Sequence, residues 1–258
     1  MAGPLIHPAA ADGFASNAED YERTRPGYPP DAVDHLVAVL GLRPETTVAD
    51  VAAGTGKLTR LLVPTGARVI AVEPVAAMRD LLARTTPGAE VLDGTAEDLP
   101  LPDASVDAVS VAQAFHWFDG PRALREMARV LHPGGALAVL YNHRDRDAAW
   151  LASVNRLVEV HRRGTPQQWD GRWRDAFEGD GCPFSLTGEA HFDNPQVLPT
   201  TEFVGRIRSM SYVGALAAPE QRRLLADIAE LLASHPDTAG RTELVIGQRT
   251  VVSAWRAR

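Results

Sequence analysis

A glycine-rich turn carries the residue types best suited to hold a ligand, and it reads Asp50-Val51-Ala52-Ala53-Gly54-Thr55-Gly56-Lys57. The apolar run before it predicts a strand, and the residues after it predict a helix. Glycines allow the backbone to pass close to a ligand, and the first turn of a helix offers free N–H donors. Several nucleotide-derived ligands use such a turn, so the neighbouring residues must distinguish between them.

A nucleoside triphosphate loop is excluded by two positions in this turn. That loop requires a glycine five residues before the Gly56–Lys57 pair, where Val51 stands. It also requires Ser or Thr after the lysine, where Leu58 stands. The turn is therefore not a P-loop, although it contains Lys57, the single lysine of the chain.

A dinucleotide fingerprint is incomplete here, and two acids favour a different cofactor. The G-x-G-x-x-G pattern has Gly54 and Gly56, but Thr59 occupies its third glycine position. Asp50, just before the turn, would be unfavourable beside a pyrophosphate and favourable beside the amino group of a methionyl moiety. Glu73 ends the second predicted strand, where a carboxylate can accept hydrogen bonds from both ribose hydroxyls.

These features resemble those of the class I S-adenosylmethionine (SAM)-dependent methyltransferases, and the resemblance extends over nearly the whole chain. Ala52 stands where the commonest form of their first motif has glycine. Three segments also resemble a subgroup that includes trans-aconitate methyltransferase-like proteins. The segments that carry the resemblance are DVAAGTGK (50–57), VIAVEP (69–74), DGTAEDLP (93–100), DAVSVAQAFHWF (107–118) and VLHPGG (130–135), with YERTRPGYP (21–29), AFHWFD (114–119) and SMSYV (209–213) for the subgroup.

The resemblance implies SAM as the cofactor and assigns residues to it. Glu73 would bind the ribose hydroxyls, Ala96 and Glu97 would flank the adenine, and at most one of Glu97 and Asp98 would face it. Tyr21 and Arg25 would lie near the cofactor carboxylate. The cofactor-binding residues implied in this way are Tyr21, Arg25, Asp50, Ala52, Gly54, Gly56, Glu73, Pro74, Met78, Thr95, Ala96, Glu97, Gln113 and Ala114.

The acceptor side offers candidates with competing interpretations. His116 follows the fourth predicted strand, at the edge where open sheets bind ligands, and is a candidate general base or a packing histidine. The fifth strand exits through His143, Arg144 and Asp145, which either contact the acceptor or form a polar loop. Aromatic and basic residues beyond it fit either an anionic acceptor or ordinary packing and a solvated face: Trp169, Trp173, Arg162, Arg163, Arg172 and Arg174.

Strands that alternate with helices predict right-handed βαβ units and a parallel sheet. The expected fold is α/β, a Rossmann-like doubly wound sheet, and the resemblance implies seven strands with the last one antiparallel. One domain over 1–258 is expected, with an N-terminal helical cover over 13–46 and a helical cap over 143–180. The predicted strands are 47–51, 68–72, 89–92, 106–112, 136–141, 185–192 and 243–254, and the predicted helices are 33–40, 58–62, 76–84, 122–131, 147–163, 201–210 and 219–233.

Composition excludes several classes of protein and site. The chain has 258 residues, a net charge of −7 and one cysteine, Cys182, so it lacks the overall basic charge of a nucleic-acid binder and cannot form an internal disulfide. No histidine spacing fits a metal site, and no apolar run is long enough to span a membrane. The first 12 residues do not resemble a signal peptide, which favours a cytoplasmic location. The expected oligomeric state is a monomer or a homodimer.

The expected function is methyl transfer from SAM to a small-molecule acceptor, with O-methylation of a carboxylate or hydroxyl favoured. Because the sulfonium is already activated, this chemistry mainly needs alignment of the reacting atoms and exclusion of water. Two alternatives stay open at this level. One is a protein that binds SAM without transferring its methyl group, and the other is a nicotinamide-dependent oxidoreductase.

Overall fold

The fold is that of a computed structural model, which describes residues 18–145, 148–162, 164–179 and 181–258. Predictions for residues 1–17, the ends of the predicted helix 147–163 and Arg163 lie outside the described residues. Along the chain the elements are α1 (Ala18–Thr24), α2 (Pro30–Leu40), β1 (Thr47–Val51), α3 (Thr59–Leu62), β2 (Arg68–Val72), α4 (Ala76–Thr85), β3 (Ala89–Leu92), β4 (Val106–Ala112), α5 (Gly120–Val130), β5 (Leu131–Arg144), α6 (Ala149–Glu159), α7 (Asp175–Glu178), β6 (Phe184–Asp193), β7 (Gln196–Pro199), α8 (Thr200–Arg208), α9 (Ser211–Gly214), α10 (Ala218–Ser234), β8 (Glu243–Ile246) and β9 (Gln248–Ala257). Short 3₁₀ turns cover Val63–Thr65, Phe115–Trp117 and Arg172–Arg174.

Seven strands form one sheet in the order β3-β2-β1-β4-β5-β9-β6. The first five strands in the chain pair in parallel, and β9 runs antiparallel to both β5 and β6. This confirms the predicted doubly wound sheet with an antiparallel final strand. Its carboxyl edge brings together the ends of β1, β2 and β4, which is where such sheets bind ligands.

Alternating residues of the strands feed two cores, one on each face of the sheet. Ala49 and Val51 of β1 pack with α5 on one face, together with Trp173. Val48 packs with α2 and α3 on the other face. Both faces of the parallel strands are covered, as expected for a parallel sheet.

A third core lies outside the sheet and is shared by α6, α8, α10 and the β7–β8 ribbon, which together we call the outer unit. Phe203 of α8 packs edge-on against Trp150 of α6, with ring centroids 5.2 Å apart. Trp173, by contrast, packs in the core of the sheet. The segment expected to form a cap, 143–180, therefore does not have a core of its own, because its two halves belong to different cores.

The predicted strand over 243–254 is wrong, because the structure has two strands there, and the strand β7 was not predicted. The run 243–254 divides at Gly247 into β8, which pairs with β7, and β9, which joins the main sheet. Apolar alternation continues through the division, so the pattern alone does not show the change of partner. The strand β7 (Gln196–Pro199) was not predicted, because a four-residue strand ending in proline gives little signal.

The described residues contain no helix long and apolar enough to cross a membrane.

Candidate functional site

A cavity of about 160 Å³ lies at the carboxyl edge of the sheet, between the glycine-rich turn, the segment around α1 and the outer unit. Its lining combines strand ends such as Ala112 and Asn142 with residues of the outer unit such as Arg206. Six of the residues predicted from sequence line it: Tyr21, Arg25, Ala52, Gly54, Gln113 and His116.

The glycine-rich turn owes its shape to three residues in the left-handed backbone region. Ala52, Gly54 and Gly56 have φ values of +55°, +60° and +85°. Gly54 and Gly56 adopt this conformation without strain, whereas an alanine there costs about 1–2 kcal/mol. Position 52, where the commonest form of the motif has glycine, therefore requires a positive φ, and Ala52 adopts this φ with strain.

Glu73, at the end of β2, is tied to this turn. Its Oε2 accepts the N–H of Gly54 at 2.8 Å, and its Oε1 accepts the N–H of Val75 at 2.8 Å. The residue is only 4% exposed, and burial raises the pKa of its carboxyl to about 7. A carboxylate has about four lone-pair positions, so two remain for further donors. Met78 packs beside Gly54, with its Sδ 3.8 Å from where a Cβ would stand.

Asp50 lies beneath the turn and does not line the cavity. Its Oδ1 accepts the hydroxyl of Ser110 at 2.9 Å, and its Oδ2 accepts the hydroxyl of Thr59 at 2.6 Å. Burial raises the pKa of its carboxyl to about 6. In this arrangement Asp50 joins β1 to β4 and α3. The contact with the amino group of the cofactor that is expected from sequence stays a prediction.

The loop expected to hold adenine places its two acids differently. Glu97 is 9% exposed, and its Oε1 accepts the N–H of Asp119 at 2.9 Å, whereas Asp98 is exposed. Glu97 is therefore the inward-facing acid of the pair. The remaining predicted residues are buried or half-buried around the cavity without lining it: Gly56, Pro74, Met78, Thr95, Ala96 and Ala114.

His116 is held by the hydroxyl of Tyr141. That oxygen lies 2.9 Å from the backbone N of His116 and 3.1 Å from its Nδ1. Burial raises the pKa of Tyr141 and lowers the pKa of His116 to about 3, so both side chains are neutral near pH 7. The hydroxyl accepts the backbone N–H and has one hydrogen and one further lone pair for Nδ1, so it donates to Nδ1 when the ring hydrogen is on Nε2 and accepts from Nδ1 in the other tautomer.

Helix α1 is fastened to the glycine-rich turn by Glu22, a residue that the sequence did not single out. Its Oε2 accepts the hydroxyl of Thr55 at 2.5 Å, and its Oε1 lies 2.5 Å from Nη2 of Arg60. Nζ of Lys57 donates to the backbone carbonyl of Glu22 at 2.5 Å. Thr55 is buried and the three charged residues are half-buried, and together they close the segment over the turn.

The lining of the cavity is basic. It includes five Lys or Arg side chains and, among the described residues, no Asp or Glu. Of the arginines considered from sequence, Arg162 lines the cavity, while Arg172 and Arg174 pair with Asp170 and Glu189. Trp169 and Arg144 also line it, and Trp173 does not. The five basic lining residues are Arg25, Lys57, Arg144, Arg162 and Arg206.

Two lining residues, Arg206 and Gln248, were missed from sequence. Arg206 is on α8 and Gln248 begins β9, and both are nearly fully buried. Neither belongs to a recognisable motif, and both reach the cavity only through long-range packing. The sequence gives only a weak signal for a role of these two residues, since each is a polar residue within an otherwise apolar, periodic segment.

The strand order and the glycine-rich turn define the class I SAM-dependent methyltransferase fold. A sequence profile described as a methyltransferase domain matches residues 49–139. An uncharacterized methyltransferase of Mycobacterium tuberculosis is 38% identical over 92% of this chain and 93% of its own. One from Schizosaccharomyces pombe is 31% identical over 86% of this chain and 88% of its own.

Solved structures agree with this assignment. A candidate type II methyltransferase from Anaeromyxobacter dehalogenans superposes with a TM-score of 0.67 at 28% identity, covering 91% of this chain and 97% of its own. The chain belongs to the SAM-dependent methyltransferases, and SAM is its cofactor. The narrower trans-aconitate methyltransferase-like subgroup stays a prediction.

Proposed function

We propose that the protein transfers the methyl group of SAM to an oxygen of a small-molecule acceptor, a carboxylate or a hydroxyl, by direct in-line displacement. The observation that carries the proposal is the basic cavity that begins at the glycine-rich turn and continues beneath the outer unit. Its cations favour an acceptor with negative charge.

The residues around the turn fit the cofactor. Gly54 has no side chain, so its backbone can approach a ligand closely, and Glu73 has two free lone-pair positions for a ribose diol. We assign Glu97 and Ala96 to the adenine, and Tyr21 with Arg25 to the carboxylate of the methionyl group. Thr95, Gln113 and Ala114 complete this proposed site.

When bound, SAM supplies a methyl group on a positively charged sulfur, an already activated donor. The chain has to align the acceptor oxygen behind that methyl and exclude water, which the cover α1 and the outer unit do by closing the cavity. The C–S bond breaks as the O–C bond forms, and the sulfur leaves as a neutral thioether. A carboxylate acceptor loses its charge in this step and has no proton to release, so it needs no general base.

His116 fits the role of a hydrogen-bond donor to the acceptor better than the role of general base. Burial lowers the pKa of His116 to about 3, which makes the ring a weak base. In the tautomer in which Tyr141 donates to Nδ1, the ring hydrogen is on Nε2 and can be donated to an acceptor. A hydroxyl acceptor, which must lose a proton, would require the other tautomer. We therefore propose that His116 orients the acceptor within the cavity.

Incubation with methyl-labelled SAM and a panel of carboxylic acids, phenols and alcohols tests the proposal. We expect label in a product that is an ester or an ether. The Glu73→Ala variant should weaken S-adenosylhomocysteine (SAH) binding, with Glu90→Ala, an exposed strand acid, as the control. Tight SAH binding with no labelled product across the panel would favour a protein that binds the cofactor without methyl transfer.

A further inference from the structure

Tyr141 brings a hydroxyl into the core of the sheet. It lies on β5 and is 1% exposed, and its ring packs against the rings of Trp173 and His116, with centroids 5.0 Å and 5.7 Å away. A phenylalanine would fill the same space without a polar atom. A buried hydroxyl is unfavourable unless it has hydrogen-bond partners, so the partners of this oxygen indicate its role.

Backbone N–H groups of the 3₁₀ turn Phe115–Trp117 are directed at the oxygen of Tyr141. The N–H of His116 donates to it at 2.9 Å, and the backbone N–H of Phe115 acts on it as a second, weaker donor. Both donors use lone pairs of the hydroxyl oxygen. The hydrogen of the hydroxyl therefore needs an acceptor of its own.

That acceptor is Nδ1 of His116, which lies 3.1 Å from the hydroxyl oxygen. Burial lowers the pKa of His116 to about 3, so near pH 7 the ring is neutral and carries one hydrogen. If this hydrogen were on Nδ1, the hydrogen of Tyr141 would have no acceptor among the described residues. Leaving a buried donor without a partner is unfavourable, so the ring hydrogen belongs on Nε2.

The same contacts fix the direction of the imidazole. One oxygen binds both the backbone N and Nδ1 of His116, so the ring cannot turn over without losing a hydrogen bond. The two nitrogens of an imidazole point in diverging directions, and Nε2 therefore faces away from Tyr141. His116 lines the cavity, and its Nε2 forms no hydrogen bond with the described residues. Asp170, a carboxylate that acts on the ring, pairs with Arg172 at 2.7 Å.

We propose that Tyr141 is a positioning residue for methyl transfer: its hydroxyl donates to Nδ1 of His116 and thereby keeps the ring hydrogen on Nε2, facing the cavity. The proposal rests on the donor role of His116 in the proposed function. Tyr141 does not itself line the cavity, so it acts only through His116. Without the hydroxyl both tautomers are open to the ring, which then presents either a hydrogen or a lone pair to the cavity.

Nitrogen NMR of protein with isotopically labelled histidine, saturated with SAH, reads the tautomer directly, because protonated and unprotonated ring nitrogens have well-separated signals. The His116→Gln variant identifies the signals of His116 among those of the eight histidines. We expect a protonated Nε2 and an unprotonated Nδ1 in the wild type near pH 7. In Tyr141→Phe the two signals should approach each other, as exchange between tautomers requires. This variant should unfold about 2–4 °C lower and keep SAH affinity within about twofold.

Tyr212→Phe is the matched control, since it removes a hydroxyl that lies 3.2 Å from Sδ of Met210, and it should leave the signals of His116 unchanged. A wild-type protein with the ring hydrogen on Nδ1 would overturn the proposal. So would a Tyr141→Phe protein that keeps the fixed Nε2–H form, or one that loses SAH binding about tenfold.

Turnover separates this inference from the proposed function. With an acceptor found in the labelled panel, Tyr141→Phe should lower kcat about tenfold and leave the KM for SAM unchanged. An unchanged kcat in a variant with mixed tautomers would overturn the role of Tyr141 in methyl transfer. If the wild type shows the expected tautomer but yields no product from the panel, the proposed function fails while the contact between Tyr141 and His116 stands.

Discussion

Ala52 and Gln113 both adopt the left-handed backbone conformation that residues with a side chain avoid, and both line the cavity. Ala52 follows β1 and Gln113 follows β4, two neighbouring strands of the sheet. Each such conformation costs about 1–2 kcal/mol, so the surrounding structure must enforce it. Strain is thus concentrated where the backbone has to turn sharply to make room for a ligand.

Ala52→Gly should raise the free energy of unfolding by about 0.5 kcal/mol. Glycine relieves the strain of the folded turn, and this gain exceeds the extra entropy that glycine gives the unfolded chain. Urea unfolding measures the change. Ala104 is also at positive φ (+46°) but in an exposed turn remote from the cavity, so Ala104→Gly is the matched control and should stabilise to a similar degree. A destabilised Ala52→Gly protein would show that the methyl group of Ala52 contributes packing that outweighs the strain.

Glu73 should make the ligand-free protein less stable as the pH rises. Its pKa is raised from 4.5 to about 7 by burial, so between these values the folded state holds a proton that the unfolded state has lost. Stability therefore falls through this pH window and levels off above it. Asp50 adds a similar effect that ends near its pKa of about 6. The Glu73→Gln variant should lose the part of the decline above about pH 6, as measured by urea unfolding across the window.

The same titration should act on cofactor binding in the opposite direction. Ionised Glu73 accepts hydrogen bonds from a ribose diol, so SAH affinity should rise as the pH rises toward 7 and above. Glu90→Gln, an exposed acid of β3, should keep the pH dependence of the wild type in both measurements. A Glu73→Gln protein with an unchanged decline in stability would assign the titration to another group.

At this scale the sequence predicts what is local and misses what is long-range. Gly54 and Glu73 could be selected as candidates from sequence, because a turn and the end of a strand are determined by residues that are close in the chain. The hydroxyls of Thr59 and Ser110 that occupy Asp50 could not, since Ser110 is 60 positions away in the chain. Arg206 is the extreme case, because nothing in a helical segment shows that its guanidinium is buried with no counter-ion among the described residues.

Helix α1 is the element that connects the two halves of the site. On one side Glu22 binds the glycine-rich turn, and on the other Arg23 pairs with Glu202 of α8 at 2.6 Å and Asp20 pairs with Arg208. An isolated helix of seven residues is not stable by itself, so these contacts hold it in place. The helix therefore couples the position of the turn to that of the outer unit.

Glu22→Gln should weaken SAH binding about fivefold, which is about 1 kcal/mol. The amide keeps one hydrogen bond but loses the ion pairs to Arg60 and Lys57, so α1 closes less firmly over the turn. Titration calorimetry measures the affinity, and hydrogen exchange of residues 18–24 should become faster. Glu19→Gln, an exposed acid of the same helix, is the control. Unchanged affinity with faster exchange would show that closure of α1 contributes nothing to cofactor binding.

The bounds of a strand or helix could be predicted from sequence where all of its residues pack against the same neighbouring elements. The bounds of β1 to β4 match the prediction because each is a short, mostly apolar run, and most residues of β1, β2 and β4 are buried. The helices over 147–163, 201–210 and 219–233 were found within a few residues of their predicted ends in the described parts of the chain. The division at Gly247 escaped prediction because it depends on the partner strand and not on the residues of the run itself.

On the scale of the whole molecule, three cores share one chain. Two lie against the sheet and hold the cofactor side of the cavity, and the third belongs to the outer unit and holds Arg206. The chain passes between the main sheet and the outer unit at Gly247, where the N–H of Asp145 donates to the carbonyl of Gly247 at 2.7 Å. Cores connected in this way can open separately, so the acceptor side can loosen while the sheet stays folded.

Phe203→Ala tests whether the outer unit is such a separate unit of stability. Phe203 is fully buried against Trp150, so its removal should cost about 3–4 kcal/mol within the third core. Native-state hydrogen exchange should then lose protection in α6, α8 and α10 while β1 and β4 keep theirs. Leu137→Ala, a comparable truncation in the central strand β5, should instead lower protection in the sheet. If Phe203→Ala lowers protection equally in β1 and β4, the three cores unfold together, and access to the acceptor site must then depend on smaller movements around α1.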